Sequence, residues 1–191
     1  MAEPGLARAP AIPAADPTAP LAGGGPAGVT VRRLDDLAIA SVIARRGEAD
    51  ALGARFGRGP TRGAARGVEW LGVGPGRWLA VAKAEPSEFA AALERTLVGR
   101  AAVADQSDAY AVVEVGGPKA RTALAKGVPV DLHPAGFGPD QVAVTMATHM
   151  GLIVWRGEGE DAFRLAAFRS NAGGLWHWLM ESAAEFGVEV L

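Results

Sequence analysis

Three imidazoles, His133, His149 and His177, fall in three separate segments of the chain. No two have the spacing of metal ligands, and a chain without cysteine has no thiolate to complete a site, so no metal or cofactor is assigned to these residues. His149 lies between two apolar runs and His133 between Leu132 and Pro134. Each reads as a turn residue that could also meet a partner. Ser107, Asp131 and His133 supply a hydroxyl, a carboxylate and an imidazole, but no Gly-x-Ser-x-Gly frame presents the hydroxyl on a sharp turn. No catalytic residue is therefore assigned. Asp105 and Asp108 flank Ser107 three positions apart. That spacing at the start of a strand suits capping and turning the backbone better than sharing a proton.

Gly72-Val73-Gly74-Pro75-Gly76 begins like a dinucleotide-binding loop. Such a loop must open a helix whose amides hold the phosphates, whereas a strand follows here, so the segment is expected to be a hairpin turn. Arg58, Arg62 and Arg66 share a glycine-rich stretch, 57–67, expected to be a solvated loop or a contact for an acidic partner surface. It lacks the interleaved aromatics that hold single-stranded nucleic acid.

The elements that must position these residues follow from periodicity. Residues 34–44 read as a strand with Leu37, Ile39, Ser41 and Ile43 on one face, and 47–56 as a helix. A hairpin and a helix starting at Pro86 come next, the helix repeating Phe89, Leu93 and Leu97 every four residues. The second half repeats this order. It has a strand at 110–115, a short helix at 118–126 closed by Gly127, strands at 142–147, 150–156 and 163–168, and a helix at 171–186. Gly127 is expected to take the left-handed conformation past its helix, and Pro118 the first helical position. The pattern implies an α+β fold of two related strand–helix–hairpin–helix half-units with antiparallel sheets.

The last helix carries more apolar surface than one core needs. At 100° per residue, Leu175, Leu179 and Phe186 share a face with Trp178 beside it, while Trp176 and Met180 lie off to one side. Only His177, Glu181 and Glu185 make a polar stripe. Either the helix is wedged between two layers of its own domain or a flank meets another protein, and Trp and Met favour interfaces.

With 191 residues, 49% of them hydrophobic, the chain can bury one real core, expected to span 29–191. Residues 1–28 are rich in Ala, Pro and Gly and read as an arm, disordered or ordered by a partner; they do not read as a secretory leader. A net charge of −2 gives no reason to expect nucleic acid or an anionic membrane. No apolar run approaches the ~20 residues of a membrane span. The cysteine-free composition fits a reducing compartment, and the expected location is cytoplasmic.

The series Asp105-x-Ser107, Val115-Gly116-Gly117-Pro118-x-Ala120 and Leu124 resembles the glycine-cleavage T-protein (aminomethyltransferase) superfamily. Further pieces resemble one branch of it, the gamma subunits of heterotetrameric sarcosine oxidase. These are Gly74-Pro75-Gly76-Arg77-Trp78, Pro129-Val130-Asp131-Leu132-His133-Pro134, Phe168-Arg169-Ser170 and Leu175-Trp176-x-Trp178-Leu179. The resemblance implies a non-catalytic subunit of a complex with alpha, beta and delta chains, packed chiefly on alpha. That complex oxidatively demethylates sarcosine to glycine, makes hydrogen peroxide and passes a one-carbon unit to tetrahydrofolate. FAD, FMN, NAD and zinc are implied in the partner chains and none in this one.

Where the T-protein enzymes carry an acidic Gly-Gly-Ile-x-Asp-Asp segment, residues 148–153 here offer only His149. Arg169-Ser170 likewise stands near where those enzymes have Asn-Ala. Trp176, Met180, Arg58, Arg62, Arg66 and the arm are the expected interface. Asp105, Ser107, Asp131, His133, His149, Arg169 and Ser170 serve internal turns or partner contacts. The alternatives from another class are a stand-alone folate-dependent aminomethyltransferase-like enzyme and a folate-binding accessory protein.

Overall fold

The computed structural model describes residues 10–12, 27–65, 67–159 and 161–191. Most of the expected arm, and Arg66, lie outside the described residues.

Two sheets face each other, each backed by helices. The first half contributes β1 (Val29–Arg33), β2 (Leu37–Ala44), α1 (Ala49–Phe56), β3 (Arg62–Ala65), β4 (Val68–Gly74), β5 (Arg77–Lys83) and α2 (Pro86–Thr96). The second contributes β6 (Ala101–Asp105), β7 (Tyr110–Gly116), α3 (Ala120–Leu124), β8 (Val142–Ala147), β9 (Met150–Arg156), β10 (Phe163–Phe168) and α4 (Ala172–Ala183), with β11 (Val188–Val190) at the end. The predicted half-units are present, but each lends its first strand to the other. β1 pairs antiparallel with β7, and β6 pairs antiparallel with β2. The sheet orders are β11-β1-β7-β10-β9-β8 and β3-β4-β5-β2-β6. One pair, β1 with β11, is parallel.

Alternation decides the layers. Even-numbered positions of β2 (Ala38, Ala40, Val42) join Trp70, Trp78, Phe56 and Leu52 under α1 and α2. Odd-numbered positions (Leu37, Ile39) face the other sheet with Leu71, Leu79, Val112, Ile153 and Trp155. The far side of the second sheet packs Val113, Phe163 and Leu165 against Leu124, Leu175 and Leu179 of α3 and α4. The result is an α/β/β/α stack with three apolar layers.

Three expectations need correction. The stretch 57–67 is not wholly loop, since β3 forms an edge of the five-stranded sheet. Four small or charged residues give no apolar alternation to read. Gly127 is absent from the positive-φ residues. Its hydrogen is needed because a Cβ there would lie 2.7–2.8 Å from the Trp178 ring. Pro118 does not start the helix either: α3 begins at Ala120, whose N–H reaches back to the Gly117 carbonyl at 3.0 Å. Gly117, at φ 101°, makes the turn.

Candidate functional site

The polar centre of the molecule is a charged cluster that the sequence reading missed. Arg164 on β10 faces the other sheet, and its side chain is 8% exposed. Its Nε donates to Glu114 Oε2 of β7 at 2.8 Å and its Nη1 to Glu69 Oε1 of β4 at 2.9 Å. Glu114 also accepts from Arg32 of β1, and Glu69 from Arg62 of β3 at 2.8 Å. The remaining Glu69 oxygen accepts the Trp155 indole N–H at 3.0 Å. Three cations and two anions from five strands thus interlock at the seam between sheets, with one positive charge in excess. Glu158 Oε1 adds a looser contact to Arg164 at 3.3 Å.

Burial pushes the Glu114 carboxyl upward, but hydrogen bonds and charge from Arg164 and Arg32 outweigh it and hold the group below its usual range. Burial pulls the Arg164 guanidinium downward, and Glu114, Glu69 and Glu158 more than reverse that. The signal for this cluster was present in the sequence. Glu114 interrupts YAVVEVG and Arg164 interrupts FRLAAF, two charges of opposite sign inside apolar strands. A charge in such a place must find a buried partner.

The residues singled out from sequence are dispersed. Asp105 Oδ1 accepts from Ser107 N at 2.9 Å and from Ser107 Oγ at 2.6 Å. Ser107 is buried, and its Oγ accepts the Ile39 N–H at 2.9 Å. This pair knits the β6–β7 turn to β2. Asp131 Oδ1 accepts the His133 N–H at 2.9 Å, and His133 Nδ1 accepts the Ala135 N–H at 3.2 Å, a self-contained turn at the surface. Ser107 is therefore engaged in one turn, and Asp131 with His133 in another. His149 stands exposed in the β8–β9 turn, where its Nδ1 is 3.3 Å from the Thr148 hydroxyl. Thr148 takes φ 54° there.

Arg169 and the exposed Ser170 form a short 3₁₀ turn before α4, and the Arg169 N–H reaches the Ala109 carbonyl at 2.8 Å. Arg169 lines a cavity of about 310 Å³ with Arg33, Asp35, Tyr110 and residues 10–11. Burial raises the Tyr110 hydroxyl above its ordinary value. Ile12 is buried in the core beneath, with its carbonyl held by Arg33 Nη1 at 2.7 Å. Part of the arm region is thus tied to its own chain.

Arg58 is exposed beside α1. Arg62 spends its guanidinium on Glu69 and on the Arg156 carbonyl at 3.2 Å. Trp176, Trp178 and Met180 are half-buried against the α3–α4 core. His177 and Glu181 face outward and pair at 3.3 Å.

Residues 51–185 match the sarcosine oxidase, gamma subunit family. The chain belongs to this family. It is 33% identical over 132 residues to the sarcosine oxidase subunit gamma of Corynebacterium sp. (strain P-1), covering 69% of this chain and 64% of that one. It is 34% identical over 129 residues to the Arthrobacter subunit gamma, covering 67% and 63%. The chain thus spans somewhat under two thirds of the length of these curated relatives.

Among solved structures, the heterotetrameric sarcosine oxidase from Corynebacterium sp. U-96, in complex with pyrrole 2-carboxylate, matches with TM-score 0.72 and 28% identity. That match covers 85% of this chain and 87% of the other. Aminomethyltransferase T of the glycine cleavage system from Bartonella henselae matches with TM-score 0.65 at 18% identity, covering 86% of this chain and 48% of that one. This second likeness shows the fold alone, and it agrees with the two half-units. Residues 148–153 are the β8–β9 turn and the start of β9. They bring no carboxylate, and His149 is exposed.

Proposed function

We propose that this chain is the non-catalytic gamma subunit of a heterotetrameric sarcosine oxidase and that its physical work is assembly. The complex on this reading oxidatively demethylates sarcosine to glycine, with hydrogen peroxide as coproduct and the one-carbon unit passed to tetrahydrofolate. Its partners are alpha, beta and delta subunits, chiefly alpha, in the cytoplasm; FAD, FMN, NAD, zinc and tetrahydrofolate are held by those chains. The observation that carries the reading is the structural match to a heterotetrameric sarcosine oxidase over 87% of the matched chain. The state of the acids supports the non-catalytic part. A general acid or base must reach a reacting atom with a proton to move, and Glu69 and Glu114 are both held by arginines.

The single domain over 29–191 would present Trp176, Met180 and Arg58 to a partner, with the arm beyond Ile12 as a further contact. Co-expression with the three partner subunits, followed by size-exclusion chromatography, tests this. A stoichiometric four-chain complex with oxidase activity is expected, lost when this chain is omitted. Titration of the purified chain with tetrahydrofolate is expected to show no saturable binding. Turnover by this chain alone would overturn the reading.

A further inference from the structure

The two sheets do not overlap fully, and the part of the six-stranded sheet left uncovered is apolar. Cross-strand partners share a face. Val144 pairs with Ile153 and Ile153 with Ala166, so these three look the same way, toward the other sheet. Ile153 and Ala166 are covered there, but the cover ends at β8 and two residues further along β10. Val144 is 58% exposed, Met146 50% and Phe168 52%. Gly151, the register partner of Met146, has open space where a Cβ would be.

The edge of this overhang is also unfinished. β8 is the outermost strand. The Val142 N–H points away from β9, toward the Pro60 carbonyl at 3.0 Å. By the two-residue period, the N–H and C=O groups of Val144 and Met146 point outward as well. At the far end the Thr148 N–H is taken by the Gly127 carbonyl at 3.2 Å, and between Val142 and Thr148 no strand or bridge pairs with that edge among the described residues. The other edges are blunted: β11 has three residues and carries Glu189, β3 carries Arg62, and β6 ends in Asp105. β8, six residues of Val-Ala-Val-Thr-Met-Ala, has neither charge nor proline. Exposed edges of this kind pair with other chains unless protected.

We infer that the outer edge of β8, with the Val144–Met146–Phe168 overhang beside it, receives an extended, uncharged apolar strand from another subunit of the complex. The inference rests on the gamma-subunit reading, which supplies a partner chain. Charge matching selects the occupant. Residues 141–155 contain no Asp, Glu, Lys or Arg, so a charged segment laid there would lose hydration and gain no counter-charge. An alternating apolar strand loses little and satisfies the open backbone groups, the mode of β-strand addition. The groove beside the edge, lined by Pro60, Gly72, Val73 and Val144, gives its side chains about 650 Å³ of further space.

The test uses the co-expressed complex. Val144→Lys/Met146→Lys puts two charges on half-exposed positions and is expected to leave the thermal midpoint of the isolated full chain unchanged. The same change is expected to weaken its association with the other subunits about tenfold or more. Val98→Lys, at an exposed position far along the chain, is the control expected to change neither. Hydrogen exchange gives a second readout, with the Val144 and Met146 amides fast in the isolated chain and protected in the complex. If the wild-type chain assembles but the double variant assembles equally well and both amides stay fast, this surface is wrong and the gamma-subunit reading stands. If the wild-type chain joins no complex, both fall. If the double variant lowers the thermal midpoint, protection of the two amides decides.

Discussion

The two half-units place equivalent strands in equivalent order, yet they fill the same position with opposite chemistry. In the first sheet Ser41 on β2 stands opposite Leu79 on β5. In the second, the corresponding pair is Glu114 on β7 opposite Arg164 on β10. Both pairs look into the space between the sheets. One half meets it with an apolar layer, and the other brings a guanidinium that reaches across to Glu69 of the first half. Backbone topology thus leaves the inner layer free to be oily or ionic. The ionic choice links the halves because Arg164 cannot be satisfied within its own sheet alone.

The largest effect should come from making the halves alike. Arg164→Leu imports the first-half residue and leaves Glu114 with Arg32, and Glu69 with Arg62 and the Trp155 indole. Breaking a buried pair from one side costs about 3–5 kcal/mol; the low end is expected here because Arg32 and Arg62 remain. Adding Glu114→Ser completes the import, and part of the loss should return, since one of the two carboxylates left behind by Arg164 is then removed. Urea unfolding of the two variants reads both numbers. A double variant no better than the single one would break the equivalence of the two positions.

The same contrast predicts acid sensitivity. The folded Glu114 carboxyl titrates below its ordinary value of 4.5. Its contribution to stability is therefore complete above that value and is lost as pH falls through the lower folded one. Glu114→Gln should flatten the stability profile in that acid window and leave its shape at neutral pH alone. An unchanged acid slope would assign the lability to other carboxylates.

How much of this could be read from sequence follows from where the information lies. Strands β8, β9 and β10 are short apolar runs set off by turn residues, and their ends were legible to the residue. β1 and β6 were not, because VTVRR and AAVAD are strands only by virtue of partners 80–86 and 57–65 residues away. The exchange between halves is a tertiary fact with no local signature. Asp105 and Ser107 were legible as turn formers, but not the reach of Ser107 Oγ to Ile39. The ion cluster was half legible: two misplaced charges announced it, while Glu69 and Arg62 sit in segments where charge is ordinary.

A smaller contrast concerns the glycines after the first helix of each half. Both touch an indole, for different reasons. Gly57, at φ 105°, offers its carbonyl to the Trp78 N–H at 3.0 Å. Gly127 makes room for the Trp178 ring. Alanine at either position should cost about 1–3 kcal/mol, through backbone strain at 57 and overpacking at 127. The two costs should separate in double-mutant cycles. Trp178→Leu should relieve Gly127→Ala, whereas Trp78→Leu should not relieve Gly57→Ala.

The smallest effect lies on the outer face of α4. His177 and Glu181 are one helical turn apart and pair at 3.3 Å, but both side chains are mostly in water. Exposed pairs of this spacing contribute about 0.3–0.5 kcal/mol at most, and salt screens them. His177→Ala should therefore move the unfolding midpoint by less than the two-sheet variants by nearly an order of magnitude. That difference should shrink further in about 1 M salt, where charges interact only over roughly 3 Å. Arg164→Leu should keep most of its cost under the same salt, because its two main partners, Glu69 and Glu114, are mostly buried. Equal salt sensitivity of the two variants would mean that the cluster between the sheets is wetter than its burial implies, and the contrast between an oily and an ionic inner layer would lose its physical basis.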